Sequence, residues 1–297
     1  MTATPRVAEL EQGTIEYRVH GSDGPVIVLL HGALVDGRVW EPVLEQLSSA
    51  ATVVVPELPL GAHRIPMPVT ADLSVHGVVE LIDSLLAHLD LTDVTIVGSD
   101  TGSVYCQVMA VHRPDRLAGI VLTPGDMFEQ FPPRVFKHLG LLSRLPDPVV
   151  RVLMWHVTTE AGKYLPTNFG WMLKRRIPKD VTDGWVLPSL RDRRILKDAK
   201  KVLASMQKAV LLENAPRLKS FTKPVLLIWA TEDHFWPPAQ AYRLAGMIPT
   251  ARVEEVADAF TLVTWDQPTR VADLIGNFVN EEVCRAAAGP AHKEEQT

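Results

Sequence analysis

Short apolar runs, rich in β-branched residues and bounded by turn residues, limit what this chain can become more than any other feature. They lie at Pro25–Leu30, Thr52–Val55, Thr95–Val97, Ile120–Leu122, Pro224–Trp229 and Ala251–Val256. Runs of this length without polar alternation are the pattern of strands buried on both faces. Between them the spacing turns helical, most clearly where Val78, Ile82, Leu85, Leu86 and Leu89 recur at steps of three and four behind Ser74, a candidate N-cap. Strands alternating with helices predict an α/β fold, with a mostly parallel sheet flanked by helices.

The alternation stops after Leu122 and resumes at Pro224. Residues 1–125 and 222–284 are therefore expected to form one core, with 126–221 as a helical cap inserted into it and 285–297, which lack periodicity, as a frayed tail. Within the insertion Ile195, Leu196, Ala199, Val202, Leu203, Met206 and Val210 share one helical face, and Lys197, Lys200, Lys201 and Lys208 are read as solvated. Trp155, Trp171 and Trp185, beside Met154, Phe169 and Met172, are read mostly as core. A helical cap over the carboxyl ends of parallel strands encloses an apolar cavity suited to a small-molecule substrate. The final helix is expected from Pro268, with Val271, Leu274, Ile275, Phe278 and Val279 as its buried stripe.

Hydrophobic residues make up 46% and charged residues 22% of the chain, enough apolar material for a sizeable core. A net charge of −5 offers no footprint for nucleic acid or an anionic membrane. The two cysteines, Cys106 and Cys284, form no disulfide framework or metal pair, and no run approaches the ~18 apolar residues of a membrane span. No secretory stretch follows Met1–Arg6, so the expected compartment is cytoplasmic. No metal site or cofactor site is expected from the scattered histidines and acids.

The densest chemical signal is Thr95-Ile96-Val97-Gly98-Ser99-Asp100-Thr101-Gly102-Ser103, a strand entering a small-residue turn and then a helical pattern. A nucleophile elbow needs small residues two positions either side of its central side chain, because the turn crowds them against backbone. Gly98 and Gly102 meet that need around Asp100. Ser99 has Val97 and Thr101 there instead, so Asp100 is the side chain expected to be thrust into the cavity.

On these residues the chain resembles the α/β-hydrolase superfamily, from Tyr17 to Val279, and implies its eight-stranded, mostly parallel sheet. Leu29-Leu30-His31-Gly32-Ala33 is similar to the family's His-Gly turn, so the resemblance implies an oxyanion hole from the backbone N–H groups of Ala33 and Thr101. Ile228 to Pro237 is similar to the segment carrying the family's acid, at Asp233; Asp126, with Glu129 close behind, is the rival position used by some dehalogenase-like members. An aspartate at the elbow resembles haloalkane dehalogenases, fluoroacetate dehalogenases and epoxide hydrolases, which form an ester on the carboxylate and release it with a histidine-activated water.

The histidine is missing. Aligned on Ala259 and Asp266-Gln267-Pro268, its place is taken by Thr261. His234, His63 and His31 are the candidate substitute bases, and His156 in the insertion is a further histidine within reach of a cavity. Other departures are Thr101 where dehalogenases carry a halide-binding Trp, Tyr164 as the single tyrosine of the insertion, and Ala33-Leu34 where a proline is common. The expectation is an enzyme acting on a small, largely apolar molecule through Asp100 as nucleophile or general base, with Asp233 and Thr261 completing a degenerate triad. Non-hydrolytic chemistry of lyase, isomerase or cyclase type fits the lost imidazole. An ordinary hydrolase with a substitute histidine and a catalytically silent binding protein are the alternatives.

Overall fold

The computed structural model describes residues 3–288, so the stretch 289–297 of the expected tail lies outside the described residues. Its centre is an eight-stranded sheet in the order β1-β2-β4-β3-β5-β6-β7-β8. The strands are β1 Arg6–Leu10, β2 Gly13–His20, β3 Val26–Leu30, β4 Thr52–Pro56, β5 Val94–Gly98, β6 Leu117–Leu122, β7 Val225–Ala230 and β8 Ala251–Val256. β1 and β2 form an antiparallel hairpin, and β2 pairs antiparallel with β4. All later pairings are parallel.

Burial follows position in that order. β5 and β7 are buried along their whole length, as strands covered on both faces must be. The edge strand β8 carries Arg252, Glu254 and Glu255, charges that discourage further strand pairing. The hairpin escaped the sequence pattern because it offers few inward apolar positions, Ala8, Ile15 and Tyr17, between polar ones.

Helices α1 Glu41–Ser48, α2 Val75–His88 and α3 Gly102–His112 connect the first strands. Ser74 caps α2 as expected, its side chain accepting from the Gly77 N–H at 3.1 Å. α3 runs behind β5 and is buried on nearly every side. Six further helices separate β6 from β7: α4 Lys137–Leu142, α5 Asp147–Trp155, α6 Glu160–Lys163, α7 Lys179–Arg191, α8 Arg193–Ser205 and α9 Lys208–Asn214. α10 Pro238–Ala245 joins β7 to β8, and α11 Val263–Asp266 and α12 Pro268–Asn277 follow. A π-helical turn, Phe278–Val283, leads into α13 Cys284–Ala288, so regular structure continues past the boundary expected at 284. No helix among the described residues is long and apolar enough to cross a membrane.

Two expectations for the inserted helices are corrected. Trp155 is 63% exposed and Trp171 40%, whereas Trp185 is buried and donates its indole N–H to Asp36 Oδ1 at 2.9 Å. Lys200 is not a solvated lysine: its ammonium donates to the Leu145 carbonyl at 2.7 Å and to Asp147 at 3.0 Å. On the same helix Asp198 is buried because it accepts from His63 and from the Met67 N–H.

The inserted helices are fastened to the sheet by buried acids. Asp36 receives Trp185, Arg38 and Arg64, and Arg38 also donates to the Asp180 and Val181 carbonyls at the start of α7. Asp266 accepts from the backbone N–H groups of Lys174, Arg175 and Phe260, joining the segment before α7 to the loop after β8. Each such oxygen satisfies donors that would otherwise be buried without a partner.

Candidate active site

Asp100 sits between the end of β5 and the start of α3 with φ +55°, a left-handed conformation that Asp and Asn tolerate better than other non-glycine residues. A Cβ at Gly98 would lie 2.6 Å from the Gly102 carbonyl carbon, and one at Gly102 would lie 2.3 Å from the Leu30 carbonyl oxygen. No substituent fits at those distances from backbone. Gly32 has a related duty, since a Cβ there would fall 2.4 Å from Asp100 Oδ2. The His-Gly turn and the elbow are thus packed against one another, and the carboxyl of Asp100 fills the space the missing side chain leaves.

That carboxyl borders a cavity of about 270 Å³ between the sheet and the inserted helices. Ala33, Thr101 and Asp126 border it beside Asp100, and Met154, Phe169, Met172, Trp185 and Leu196 give its wall an apolar character. The pKa of Asp100 is raised from 3.8 to about 7 by burial and by the charge of Asp233, while a hydrogen bond from the Thr101 backbone N–H works in the opposite direction.

Asp233 and Thr261 do come together. The Thr261 hydroxyl, fully buried, donates to Asp233 Oδ2 at 2.8 Å, and the Phe235 and Trp236 N–H groups donate to Oδ1 at 2.7 Å each. Burial raises the pKa of Asp233 to about 6 against these three donors. Asp233 is not among the cavity-lining residues; Asp126 is. The second carboxyl bordering the cavity is therefore Asp126, buried just after β6, and not Asp233. Glu129 lies apart from both, paired at an exposed position with Arg243.

The three candidate bases are occupied elsewhere. His31 is fully buried, donates from Nδ1 to the Gly32 carbonyl and accepts the Leu58 N–H at Nε2, and burial lowers its pKa. His63 accepts the Gly61 N–H at Nδ1 and turns Nε2 toward Asp198 on α8. His234 is exposed, its ring packed between Trp171 and Phe260 at 5.2 and 4.4 Å between centroids. None of the three lines the cavity.

His156 does line it, from the inserted helices. Its Nδ1 donates to the Leu153 carbonyl and its Nε2 accepts from the Asn168 amide at 3.0 Å, so both ring nitrogens are used. Asn168 donates again to the Gly162 carbonyl at 2.6 Å, which holds it in place. Tyr164 points its hydroxyl toward the Ile177 carbonyl at 3.4 Å. No cluster of three or more metal-ligating side chains occurs among the described residues.

A family model described as alpha/beta hydrolase fold matches residues 25–268. The chain belongs to that family. An uncharacterized protein of Mycobacterium tuberculosis is 27% identical to this chain over 280 residues, covering 89% of this chain and 77% of the relative. Haloalkane dehalogenase 2 of the same organism is 26% identical over 270 residues, covering 89% and 91%. A solved epoxide hydrolase superposes with a TM-score of 0.77 at 17% identity over 94% of this chain and 99% of that one, a likeness of fold. The α/β-hydrolase fold accounts for the position of the elbow at the carboxyl end of β5, where open parallel sheets place their reacting groups.

Proposed function

We propose that this protein is an α/β-hydrolase-fold enzyme that moves protons on a small, largely apolar molecule, with Asp100 as the general base, and that it does not hydrolyse its substrate. One observation carries this: the Thr261 hydroxyl hydrogen-bonds Asp233 at 2.8 Å, in the place where a hydrolytic relative needs an imidazole. A threonine hydroxyl does not deprotonate water at neutral pH. A positioned base contributes roughly 10²–10⁴ in rate, so an ester formed on Asp100 has no efficient route to release.

The remaining features support proton transfer. A carboxyl titrating near pH 7 is matched to taking and returning a proton under ordinary conditions. The inserted helices serve as a cap that keeps the site apolar and limits entry of water. Ala33 and Thr101 both border the cavity beside Asp100, which supports their backbone N–H groups as oxyanion donors, Thr101 only when its N–H is released from the Asp100 carboxyl. Isomerisation is the reaction type that needs nothing further from the site.

The non-hydrolytic part is tested with panels of reactive alkyl halides, epoxides and activated esters, followed by product assay and intact-protein mass. Expected is no multiple turnover, with any alkylation appearing as a lasting mass increase at Asp100. Thr261→His should then shorten the life of that adduct, because the Asp233 carboxyl is already positioned to orient a ring. Steady-state hydrolysis by the native protein that disappears in Asp100→Ala would contradict the proposal.

A further inference from the structure

Charge is shared unevenly along this chain. Residues 126–221 carry 18 Lys and Arg against nine Asp and Glu, a net +9, whereas the remainder carries 12 against 26, a net −14. The overall −5 conceals a basic segment set on an acidic one, so an anionic surface that the whole-chain charge disfavours is favoured by its distribution. The basic segment also contains a helix whose outer face is bare. At about 3.6 residues per turn, Asp147, Val150, Arg151 and Met154 of α5 share the inner side, with Val150 and Met154 bordering the cavity. Pro148, Val149, Val152, Leu153 and Trp155 share the outer side, and all are exposed, Val152 by 71% and Trp155 by 63%. No polar side chain interrupts that side. A surface helix ordinarily turns its polar residues outward, and an exposed apolar patch rimmed by charge marks a docking surface.

The surroundings of that face select its partner. Arg144, three residues before α5, is exposed and has no side-chain partner among the described residues. The corner between α7 and α8 lies against α5, since Arg151 donates to the Leu190 carbonyl and Arg193 reaches Asp147 at 3.3 Å. That corner exposes Arg191, Arg193 and Arg194, with Lys197 a turn further on, and Arg191 and Lys197 are likewise without side-chain partners among the described residues. The acids nearby are already paired, Asp147 with Lys200 and Arg193, Asp192 with Arg194, and Glu160 with Lys163. A second copy of the chain brought cap to cap would set one positive segment against another. A nucleic acid would meet phosphate-binding groups only at the margin, because Val149, Val152 and Leu153 offer it none.

We propose that the outer face of α5 rests on a bilayer containing anionic phospholipid. Val149, Val152 and Leu153 enter the upper acyl region, the amphipathic ring of Trp155 sits at headgroup level, and Arg144, Arg191 and Lys197 meet lipid phosphates. Neither part suffices alone: the apolar face is short, and each basic residue close to such a surface contributes only about fivefold in affinity. Docking in this orientation places the bilayer against the helix that also walls the cavity. A small apolar molecule concentrates in hydrocarbon, so it passes from the bilayer to the cavity along α5 with little exposure to water. The docking does not depend on the chemistry at Asp100, and a failure of one leaves the other standing.

The test is co-sedimentation of the whole protein with vesicles of phosphatidylcholine alone and of phosphatidylcholine with about one third phosphatidylglycerol. Expected is binding at least about tenfold tighter to the anionic vesicles, weakening as salt is raised from about 0.05 to about 0.5 M. Trp155→Ser should lower that affinity by about tenfold and Arg144→Glu by about fivefold, while Val7→Ser, which changes an exposed apolar residue on β1, leaves it unaltered. Lipid brominated on its acyl chains should quench the native fluorescence, and Trp155→Phe, which keeps an apolar ring, should still bind but lose most of that quenching. No binding by the native protein overturns the proposal, as does equal binding to both vesicles. Anionic binding that survives Trp155→Ser unchanged also overturns it, by reducing the contact to charge alone. Dimerisation in analytical ultracentrifugation that is abolished by Trp155→Ser, with no vesicle binding, assigns the face to a second copy and overturns it as well.

Discussion

Asp100 combines a left-handed backbone with a carboxyl that is costly to ionise, and substitution separates the two properties. Asparagine tolerates φ +55° nearly as well as aspartate, so Asp100→Asn keeps the turn and removes the charge. In the folded chain this carboxyl titrates at about 7, above its unfolded value of 3.8. The native state therefore holds the proton more tightly, and stability conferred by the acid form is complete below the unfolded pKa and lost as pH rises through the folded one. Asp233, raised to about 6, acts in the same direction over a narrower window. Asp100→Asn should accordingly stabilise the protein by roughly 2–3 kcal/mol at about pH 8 and by little at about pH 4, read from denaturant midpoints. An equal effect at both pH values would mean that the carboxyl is not strained by burial. Gly102→Ala tests the other property: with its Cβ 2.3 Å from a backbone oxygen, a loss of at least about 2 kcal/mol is expected in the same unfolding measurement.

At the scale of elements, buried acids join the inserted helices to the sheet. Asp266 gathers three backbone N–H groups from two segments distant in sequence, at 2.9 to 3.0 Å. Asp266→Ala leaves those donors buried and unpaired, and a loss of roughly 2–4 kcal/mol follows. Amide hydrogen exchange should quicken at Lys174, Arg175 and Phe260 ahead of the strands; unchanged exchange there would show that other contacts hold the junction. Helical periodicity marked the buried face of α8 correctly through Ile195, Leu196, Ala199, Val202 and Leu203. It wrongly put Lys200 in solvent and was silent on Asp198, because their partners lie more than 50 residues away in sequence. Trp155 was misread for a related reason: an apolar side chain on a short helix faces the core only if neighbours cover it, and here it is left 63% exposed.

Across the whole molecule, the parallel part of the sheet was legible because its central strands are buried on both faces and therefore nearly uniform in composition. The β1–β2 hairpin was not, since a strand pair with few inward side chains leaves little pattern. In the site, Asp100 and its two glycines could be read from spacing, because a strand-to-helix turn imposes fixed offsets, whereas Asp233 and Thr261 were picked out only through the resemblance to the family. Which carboxyl shares the cavity with Asp100 could not, because that depends on how loops after separate strands are turned toward one another. Asp126 was visible in sequence only as a rival to Asp233; its unpartnered oxygen is a property of the packed wall.

Proton transfer by Asp100 is tested most directly by following cyclohex-3-en-1-one in deuterated water by proton nuclear magnetic resonance, with the native protein and with Asp100→Asn. The native protein should convert it to cyclohex-2-en-1-one over many turnovers with deuterium entering at carbon, and Asp100→Asn should be slower by at least about 10². Equal rates for the two proteins, or no conversion by the native protein, would contradict a carboxyl base in this cavity.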